Sequence, residues 1–139
     1  MKKNVPVSTI MTKNVIKLNL KDELTKAEAL FKKHNIRHIP VVSGSKIIGI
    51  LSYSDLLRIS FADAVYEDEE IDSVVYDMFD IGQVMTKNIV SITENTSIKE
   101  TAEILASKEF HALPVLEDGH LVGIVTTTDL IKYLLNQYI

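Results

Sequence analysis

The spacing of hydrophobic and polar positions along the chain predicts the same series of elements twice. In two stretches apolar residues recur every three or four positions, as on one face of a helix that packs on a sheet. They are Leu24, Ala27, Leu30 and Phe31 in the first stretch, and Ile98, Ala102 and Leu105 in the second. With the short apolar runs around them, each copy is predicted to read strand, helix, strand, strand, helix.

Local signals indicate where these elements begin and end. The β-branched run 89–92 predicts a strand, and Ser97-Ile98-Lys99-Glu100 then has the Ser-x-x-Glu form of a helix start. Asp118-Gly119 suits the positive φ angles of a tight hairpin, and Ser43-Gly44-Ser45 occupies the same place in the first copy. The last helix of each copy is predicted to begin near Asp55 and Asp129.

The two copies are related by a sequence repeat with a constant shift of 74 residues, from 11–57 to 85–131. Three segments carry the repeat. Met11-Thr12-Lys13-Asn14 recurs as Met85-Thr86-Lys87-Asn88, Ile39-Pro40-Val41 as Leu113-Pro114-Val115, and Gly49-Ile50-Leu51-Ser52-Tyr53-Ser54-Asp55 as Gly123-Ile124-Val125-Thr126-Thr127-Thr128-Asp129. One supersecondary unit is therefore present twice, in repeats that we place at 1–59 and 81–139.

Between the repeats, residues 60–80 have no counterpart and contain the acidic run Glu67-Asp68-Glu69-Glu70. Apolar side chains then follow at helical spacing, namely Ile71, Val74, Val75, Met78 and Phe79. The pattern favours a connecting helix whose acidic start suits the positive end of the helix dipole. Two other interpretations stay open, a divalent-cation site on the carboxylates and an apolar face that docks on a partner subunit.

Composition limits the classes of protein to consider. With 139 residues, 46% of them hydrophobic, the two copies are expected to share one compact body. A net charge of −4 argues against nucleic acid and anionic membranes as partners, and the lack of cysteine excludes disulfides and thiolate sites. No run approaches the roughly 20 apolar residues of a membrane span. We therefore expect a soluble cytoplasmic protein.

The repeated Gly-Ile-Leu-Ser-x-x-Asp and Gly-Ile-Val-Thr-x-x-Asp segments carry the candidate chemistry. Each ends a strand and opens a helix, where free backbone N–H groups and the helix dipole favour a phosphate. Ser52 and Thr126 add a hydroxyl, and Asp55 and Asp129 can accept hydrogen bonds from a ribose diol. The same residues have nearly the form of a capping box, so a nucleotide site and a plain helix cap are both open.

These motifs, in tandem and in this order, resemble the cystathionine β-synthase (CBS) domain family. The resemblance implies an α/β (α+β) fold in which two β-α-β-β-α repeats pack by pseudo-twofold symmetry into one module. It also implies two clefts that bind an adenosine-containing ligand such as AMP, ADP, ATP or S-adenosylmethionine, and commonly a homodimer. Ligand occupancy would then regulate an attached or partner protein.

The resemblance assigns roles to particular residues of this chain. Asp55 and Asp129 would hold ribose. The phosphate would contact Ser52, Thr126, Arg37, His38 and His111, and the adenine would be bordered by Val15, Ile16, Ile39, Pro40, Ile89, Val90, Leu113 and Pro114. Because Ala112 replaces a basic residue in the second copy, the two clefts are expected to differ in affinity.

No catalytic machinery and no bound metal are expected from the sequence. It contains neither a nucleophile-elbow serine nor a phosphate loop followed by lysine. His34 and His38 are four residues apart, but residues 36–40 should have left the helix before Pro40. A regulatory module is the leading interpretation. The alternatives are a structural adaptor dimer without a ligand and a sensor of divalent cations.

Overall fold

In a computed structural model the chain is described at residues 4–61, 76–108 and 110–138, and it divides into two compact units. We call Ile16–Ile89 the Asp55 unit, and Met1–Val15 with Val90–Ile139 the Asp129 unit. Each unit contains one three-stranded sheet and the helices that pack on it. Glu67–Glu70 and the apolar positions 71, 74 and 75 lie outside the described residues.

The Asp55 unit has a sheet in the order β1-β2-β3. Its elements are β1 (Leu18–Asn19), α1 (Leu24–His34), β2 (His38–Ser43), β3 (Lys46–Ser52), α2 (Tyr53–Phe61) and α3 (Ile81–Val84). Strand β1 runs parallel to β2, and β2 runs antiparallel to β3.

The Asp129 unit has the same topology, with the order β4-β5-β6. Its elements are a 3₁₀ turn (Val7–Thr9), β4 (Ile92–Thr93), α4 (Ile98–Ser107), β5 (Ala112–Glu117), β6 (His120–Thr126) and α5 (Thr127–Asn136). The mixed α/β fold class and the repeated order of strand, helix, strand, strand, helix are therefore confirmed.

Helix α1 packs on its sheet through its predicted apolar face. In α1, Leu24, Ala27 and Phe31 are buried and belong to one core with residues of all three strands. The strand residues of that core are Leu18, Ile39, Val41 and Leu51. In the other unit, the core includes Leu113, Val115 and Val125, each with no exposed surface. Helical spacing in the sequence is thus an accurate guide to the buried face of α1, whereas in α4 Thr101 is buried and the predicted Ala102 and Leu105 are only partly buried.

Both predicted hairpins form, through different turns. Asp118 and Gly119 have φ angles of 51° and 81°, as a two-residue turn with two left-handed residues requires. In the first copy Gly44 is left-handed with φ 62°, and Ser45 is not. Each turn sets the register of its hairpin, because it fixes which residues of the two strands face one another.

Two predicted boundaries are wrong. The strand expected at 89–92 is only Ile92–Thr93, because Ile89 N–H donates to Lys87 O (3.0 Å) in a local turn instead of pairing with a strand. Met78 and Phe79 lie after the last helical residue, Asp77, so they do not continue the predicted connector helix. Asp80 is extended and caps the new helix α3, which requires the preceding helix to have ended.

The segment before each copy's first strand packs on the last strand of the other copy. We call residues 11–16 and 85–90 the lead-in segments. Thr12 exchanges two backbone hydrogen bonds with Ile124 of β6 (2.8 and 3.0 Å). Thr86 does the same with Ile50 of β3 (2.9 and 3.0 Å). Residues of the first copy therefore complete the Asp129 unit, and residues 81–89 complete the Asp55 unit.

A glycine in each last strand permits this pairing. A Cβ atom on Gly49 would lie 2.6 Å from Met85 Sδ and 2.8 Å from Thr86 O. On Gly123 it would lie 2.6 Å from Met11 Sδ and 3.1 Å from Thr12 O. The repeated glycine of one copy and the repeated Met-Thr of the other thus form a single packing contact.

No helix in the described part of the chain has both the length and the apolar character needed to cross a bilayer.

We predict that Gly49→Ala destabilises the protein by about 1–3 kcal/mol, because the added methyl group collides with the Thr86 carbonyl as well as with the flexible Met85 side chain. Gly123→Ala should cost less, since the carbonyl it faces is farther away. The control is Gly82→Ala, whose methyl group meets only the tip of Leu20 (3.3 Å). Urea unfolding that shows equal stabilities for the 49 and 82 variants would contradict the packing contact.

Candidate functional site

Each last strand turns into a helix at a corner formed by four residues. We call 52–55 the Asp55 corner and 126–129 the Asp129 corner. At the Asp129 corner, Thr126 N–H donates to Asp129 Oδ2 (2.9 Å) and Asp129 N–H donates to Thr126 Oγ1 (3.2 Å). At the Asp55 corner, the equivalent distances are 3.0 and 3.1 Å. Both corners are therefore reciprocal capping boxes.

The capping boxes occupy only part of the hydrogen-bonding capacity of the two carboxylates. Each box engages only Oδ2 of its aspartate and leaves Oδ1 for another donor. Asp55 is buried, with 6% of its surface exposed, whereas Asp129 is partly exposed. Helix capping and ligand binding are thus compatible roles for the same side chain, although the sequence presents them as alternatives.

The start of each middle strand lies at the same end of the sheet as the corner. The residues that we predicted to contact the phosphate are found there. Arg37 O accepts a hydrogen bond from Tyr53 N–H (2.8 Å), and His38 is the ladder partner of Ser52. At the other corner, His111 O accepts from Thr127 N–H (3.0 Å). The backbones of residues 37 and 111 are thereby fixed beside the two helix starts.

The proline of each middle strand has a structural reason for its position. Pro40 faces Ile50 of β3, which forms its hydrogen bonds with Thr86 instead. Strand β1 pairs with β2 only at Val41 and Val42, so no neighbouring strand needs the missing N–H group of Pro40. Pro114 has the same place in β5. The residues before them, Ile39 and Leu113, have no exposed surface and belong to the two cores. These two side chains therefore pack inside the cores of the two units.

The predicted lead-in residues are distributed between the units. All four are partly buried. Val15 and Val90 belong to the Asp129 unit, and Ile16 and Ile89 belong to the Asp55 unit. Val15 follows Thr12, which pairs with β6, and Ile89 follows Thr86, which pairs with β3. The lead-in segment on the strand of each corner therefore comes from the opposite copy, which the sequence did not reveal.

Arg58 is a residue that our sequence analysis missed. Its Nη2 atom lies 2.6 Å from Asp55 Oδ1 in an ion pair with the buried carboxylate. The available signal was its position on α2, three residues after Asp55, where side chains face each other. The counterpart of Arg58 in the second copy is Lys132. Among the ion pairs between described residues, none joins Lys132 to Asp129.

A pocket of about 200 Å³ lies beside this ion pair within the Asp55 unit. Its lining residues are Asp55, Arg58, Ile59, Phe79, Gln83 and Val84. Helices α2 and α3 contribute all of them except Phe79. The pocket gives the Asp55 carboxylate and the Arg58 guanidinium a shared concave surface.

The structure also places the histidines that were considered as metal ligands. His34 is the last residue of α1, Asn35 is left-handed with φ 52°, and His38 lies in β2. The prediction that residues 36–40 have left the helix is confirmed. Within residues 4–61, 76–108 and 110–138, no three His, Asp or Glu side chains are grouped so that they could hold a metal ion.

The sequence profile of the CBS domain matches residues 7–62 and 81–136, which together are most of the chain. The chain belongs to the CBS domain family. The two matched ranges follow the sequence repeat, and each contains one of the corners. Both glycines that touch the lead-in segments lie within these ranges.

Solved structures confirm the fold. The CBS domain pair of protein MJ0100, in complex with 5′-methylthioadenosine and S-adenosyl-L-methionine, superposes with a TM-score of 0.79 at 23% identity, over 96% of this chain and 98% of that one. CBSX2 in complex with AMP gives 0.78 at 21% identity, over 97% and 99%. At such identities the likeness shows the architecture of a CBS pair.

A curated relative is the uncharacterized protein MJ1225 of Methanocaldococcus jannaschii, 24% identical over 132 residues, which are 94% of this chain and 47% of that protein. The next two relatives bear enzyme names, and the chain spans 23% and 22% of their lengths. The chain thus matches less than half of these proteins.

We predict that Thr126→Ala and Asp129→Ala each lower the unfolding free energy by about 1 kcal/mol, because each removes an acceptor of the capping box. The double variant should cost less than the sum, since both changes break one reciprocal pair. Asp129→Asn should change stability little, because its amide oxygen still accepts from Thr126 N–H. Thermal unfolding measures all four proteins.

The matched control is Thr128→Ala, a change at an exposed residue of the same corner, which should leave stability within about 0.5 kcal/mol. A Thr126→Ala variant as stable as this control would contradict the capping role.

Proposed function

We propose that this protein is a regulatory module that binds an adenosine-containing ligand at its corners and signals occupancy to a partner protein. One observation carries the proposal. The Asp129 carboxylate is fixed by Thr126 N–H through Oδ2, and its Oδ1 atom has no hydrogen-bond partner among the described residues. A fixed carboxylate with one uncommitted oxygen beside a helix start suits a ribose hydroxyl.

The phosphate of such a ligand would bind at the helix starts. Backbone N–H groups there and the positive end of the helix dipole stabilise an anion. We propose Ser52 and Thr126 as hydroxyl contacts, with Arg37, His38 and His111 as the neighbouring basic residues. Because a guanidinium can hold a phosphate through two parallel hydrogen bonds and an imidazole ring cannot, the basic residues differ in strength between the copies.

The adenine would lie against partly buried apolar residues of the lead-in segments. We propose Val15, Ile16, Ile89 and Val90 for this role. Pro40 and Pro114, with Ile39 and Leu113 beneath them, would shape the strand surface next to the base. The proposed recognition therefore combines apolar contact for the base with polar groups at the corner for the sugar and phosphate.

The ligand class is supported by two proteins of the same fold. One was solved with 5′-methylthioadenosine and S-adenosyl-L-methionine, and the other with AMP. We extend this class to AMP, ADP, ATP and S-adenosylmethionine for the present chain. We assign the chain no reaction of its own. A cytoplasmic location, where these metabolites are abundant, fits the proposal.

Isothermal titration calorimetry with AMP, ADP, ATP and S-adenosylmethionine tests the proposal. At least one should bind, and Asp129→Asn should weaken the first binding event by roughly tenfold or more, since it removes charge-assisted hydrogen bonds to ribose and keeps the helix cap. Thr128→Ala is the control. If none of the four ligands releases or absorbs heat, the structural adaptor is the better interpretation.

We further propose that the module forms a homodimer through α5. Ile131, Leu134 and Leu135 lie three and four residues apart on this helix, and their surfaces are 52%, 45% and 62% exposed. Large apolar side chains grouped on one helix face are typical of an interface.

Light scattering after gel filtration should give twice the chain mass for the wild type. Leu135→Glu should shift the protein to the monomer, because it places a charge within the apolar face. Gln137→Glu, at an exposed position just after the end of α5, should remain dimeric. A monomeric wild type at micromolar concentration would refute this interface.

A further inference from the structure

The two corners differ in how many oxygens of the aspartate the protein occupies. At the Asp55 corner, Ser52 N–H donates to Oδ2 (3.0 Å) and Arg58 Nη2 lies 2.6 Å from Oδ1. At the Asp129 corner, Thr126 N–H donates to Oδ2. Among the described residues no donor engages Asp129 Oδ1. Both carboxylate oxygens of Asp55 thus have a donor within the protein, whereas among the described residues only one oxygen of Asp129 has a donor.

The difference arises from one position of the repeat. Arg58 and Lys132 occupy equivalent places, three residues after the aspartate on α2 and α5. The arginine forms an ion pair with its aspartate, and the lysine forms none with Asp129 in the described part of the chain. A guanidinium presents several donors in a planar fork, whereas an ammonium is a single strongly hydrated charge, so the two residues are not interchangeable here.

We propose that Arg58 competes with the ribose of a ligand for Asp55, so that the Asp129 corner fills first and the Asp55 corner fills only when Arg58 is displaced. This inference rests on the proposed function, because it concerns the same ribose contacts. It makes Arg58 a residue that sets the order and the affinity of binding.

The exposure of the Asp55 and Arg58 side chains explains how a ligand can displace Arg58 from the carboxylate. The Asp55 side chain is only 7% exposed, so its Oδ1 atom needs another donor when Arg58 leaves. The Arg58 side chain is 76% exposed, so its guanidinium remains hydrated when it leaves the carboxylate. A ribose hydroxyl can replace it as the donor to Oδ1. The exchange then costs the ligand a modest part of its binding free energy, as is typical of ion pairs with one exposed partner.

The pocket beside the ion pair provides room for this exchange. Arg58 and Asp55 both line it, together with Ile59 and Gln83. Its volume of about 200 Å³ accommodates a displaced side chain or part of an incoming ligand next to the carboxylate. Both residues of the ion pair therefore border open space.

The test isolates the Asp55 corner by using Asp129→Asn as the background. In that background, Arg58→Met should tighten the binding of adenosine and of AMP by roughly fivefold (about 1 kcal/mol), because the competing guanidinium is gone and the aliphatic stem remains. Adenosine is included because it has ribose and no phosphate, so its response reports on the sugar contact alone. Calorimetry measures both ligands at low ionic strength.

Three further proteins complete the design. Lys132→Met in the same background should leave the affinity unchanged, because Lys132 belongs to the other unit and has no part in the ion pair with Asp55. Arg58→Lys should tighten binding less than Arg58→Met, because it keeps the charge and loses the planar fork. Arg58→Gln is the second neutral variant, to be used if Arg58→Met does not give a folded protein by circular dichroism.

The outcomes separate this inference from the proposed function. If the wild type binds AMP and the neutral Arg58 variants bind adenosine as weakly as the background or more weakly, Arg58 does not compete and the inference is wrong. If those variants tighten adenosine but weaken AMP, the guanidinium also contacts phosphate and the competition still holds for ribose. If the wild type binds no ligand, the proposed function itself fails.

Discussion

The close approach of each lead-in segment to a glycine of the opposite copy is the contact on which the rest of the structure depends. At Gly49 and Gly123 the separation leaves no space for a methyl group, and the backbone of Thr86 or Thr12 pairs with the next strand residue. This pairing brings residues 4–15 into the Asp129 unit and residues 81–89 into the Asp55 unit. Neither repeat therefore completes its own unit with its own residues.

The pairing of each lead-in segment with the opposite copy, which we call the crossed arrangement, explains why the glycine and the corner recur together in the sequence. The strand that accepts a lead-in segment at Ile124 ends two residues later at Thr126, where the corner begins. The glycine, the paired strand and the corner thus belong to one short stretch of chain. The corner in turn uses its aspartate twice, with one oxygen to cap the helix and the other for a different donor. In the Asp55 unit that donor is Arg58, and in the Asp129 unit we assign the role to a ligand.

The sequence predicts those parts of the fold that depend on local chemistry. Helical spacing identified the buried face of α1, Asp118-Gly119 predicted a hairpin turn, and Ser97 predicted the start of α4, where its Oγ accepts a hydrogen bond from Glu100 N–H (3.0 Å). The sequence did not predict contacts that depend on distant residues. Residues 89–91 look like a strand because Ile89 and Val90 are β-branched, but the ladder with β5 includes only Ile92 and Thr93.

The candidate site likewise has features that the sequence predicts and features that it does not. Ser-x-x-Asp and Thr-x-x-Asp indicated both a cap and a nucleotide site, and only the structure shows that the cap leaves one oxygen of Asp129 uncommitted. The role of Arg58 could not be inferred from its type, because Lys132 at the equivalent position carries the same charge and makes no such pair within the described residues. The crossing of the lead-in segments was likewise hidden, because a tandem repeat looks the same whether each copy packs on itself or on its neighbour.

The most direct measurement is the mapping of backbone amide chemical shifts by NMR while AMP is added. The crossed arrangement predicts that residues 126–130 of the Asp129 corner and residues 12–15 of the first copy shift together, at the same AMP concentrations. Shifts at the Asp129 corner accompanied only by residues 89 and 90, which precede it in its own copy, would contradict the crossed site. The absence of shifts at both corners would contradict the account as a whole.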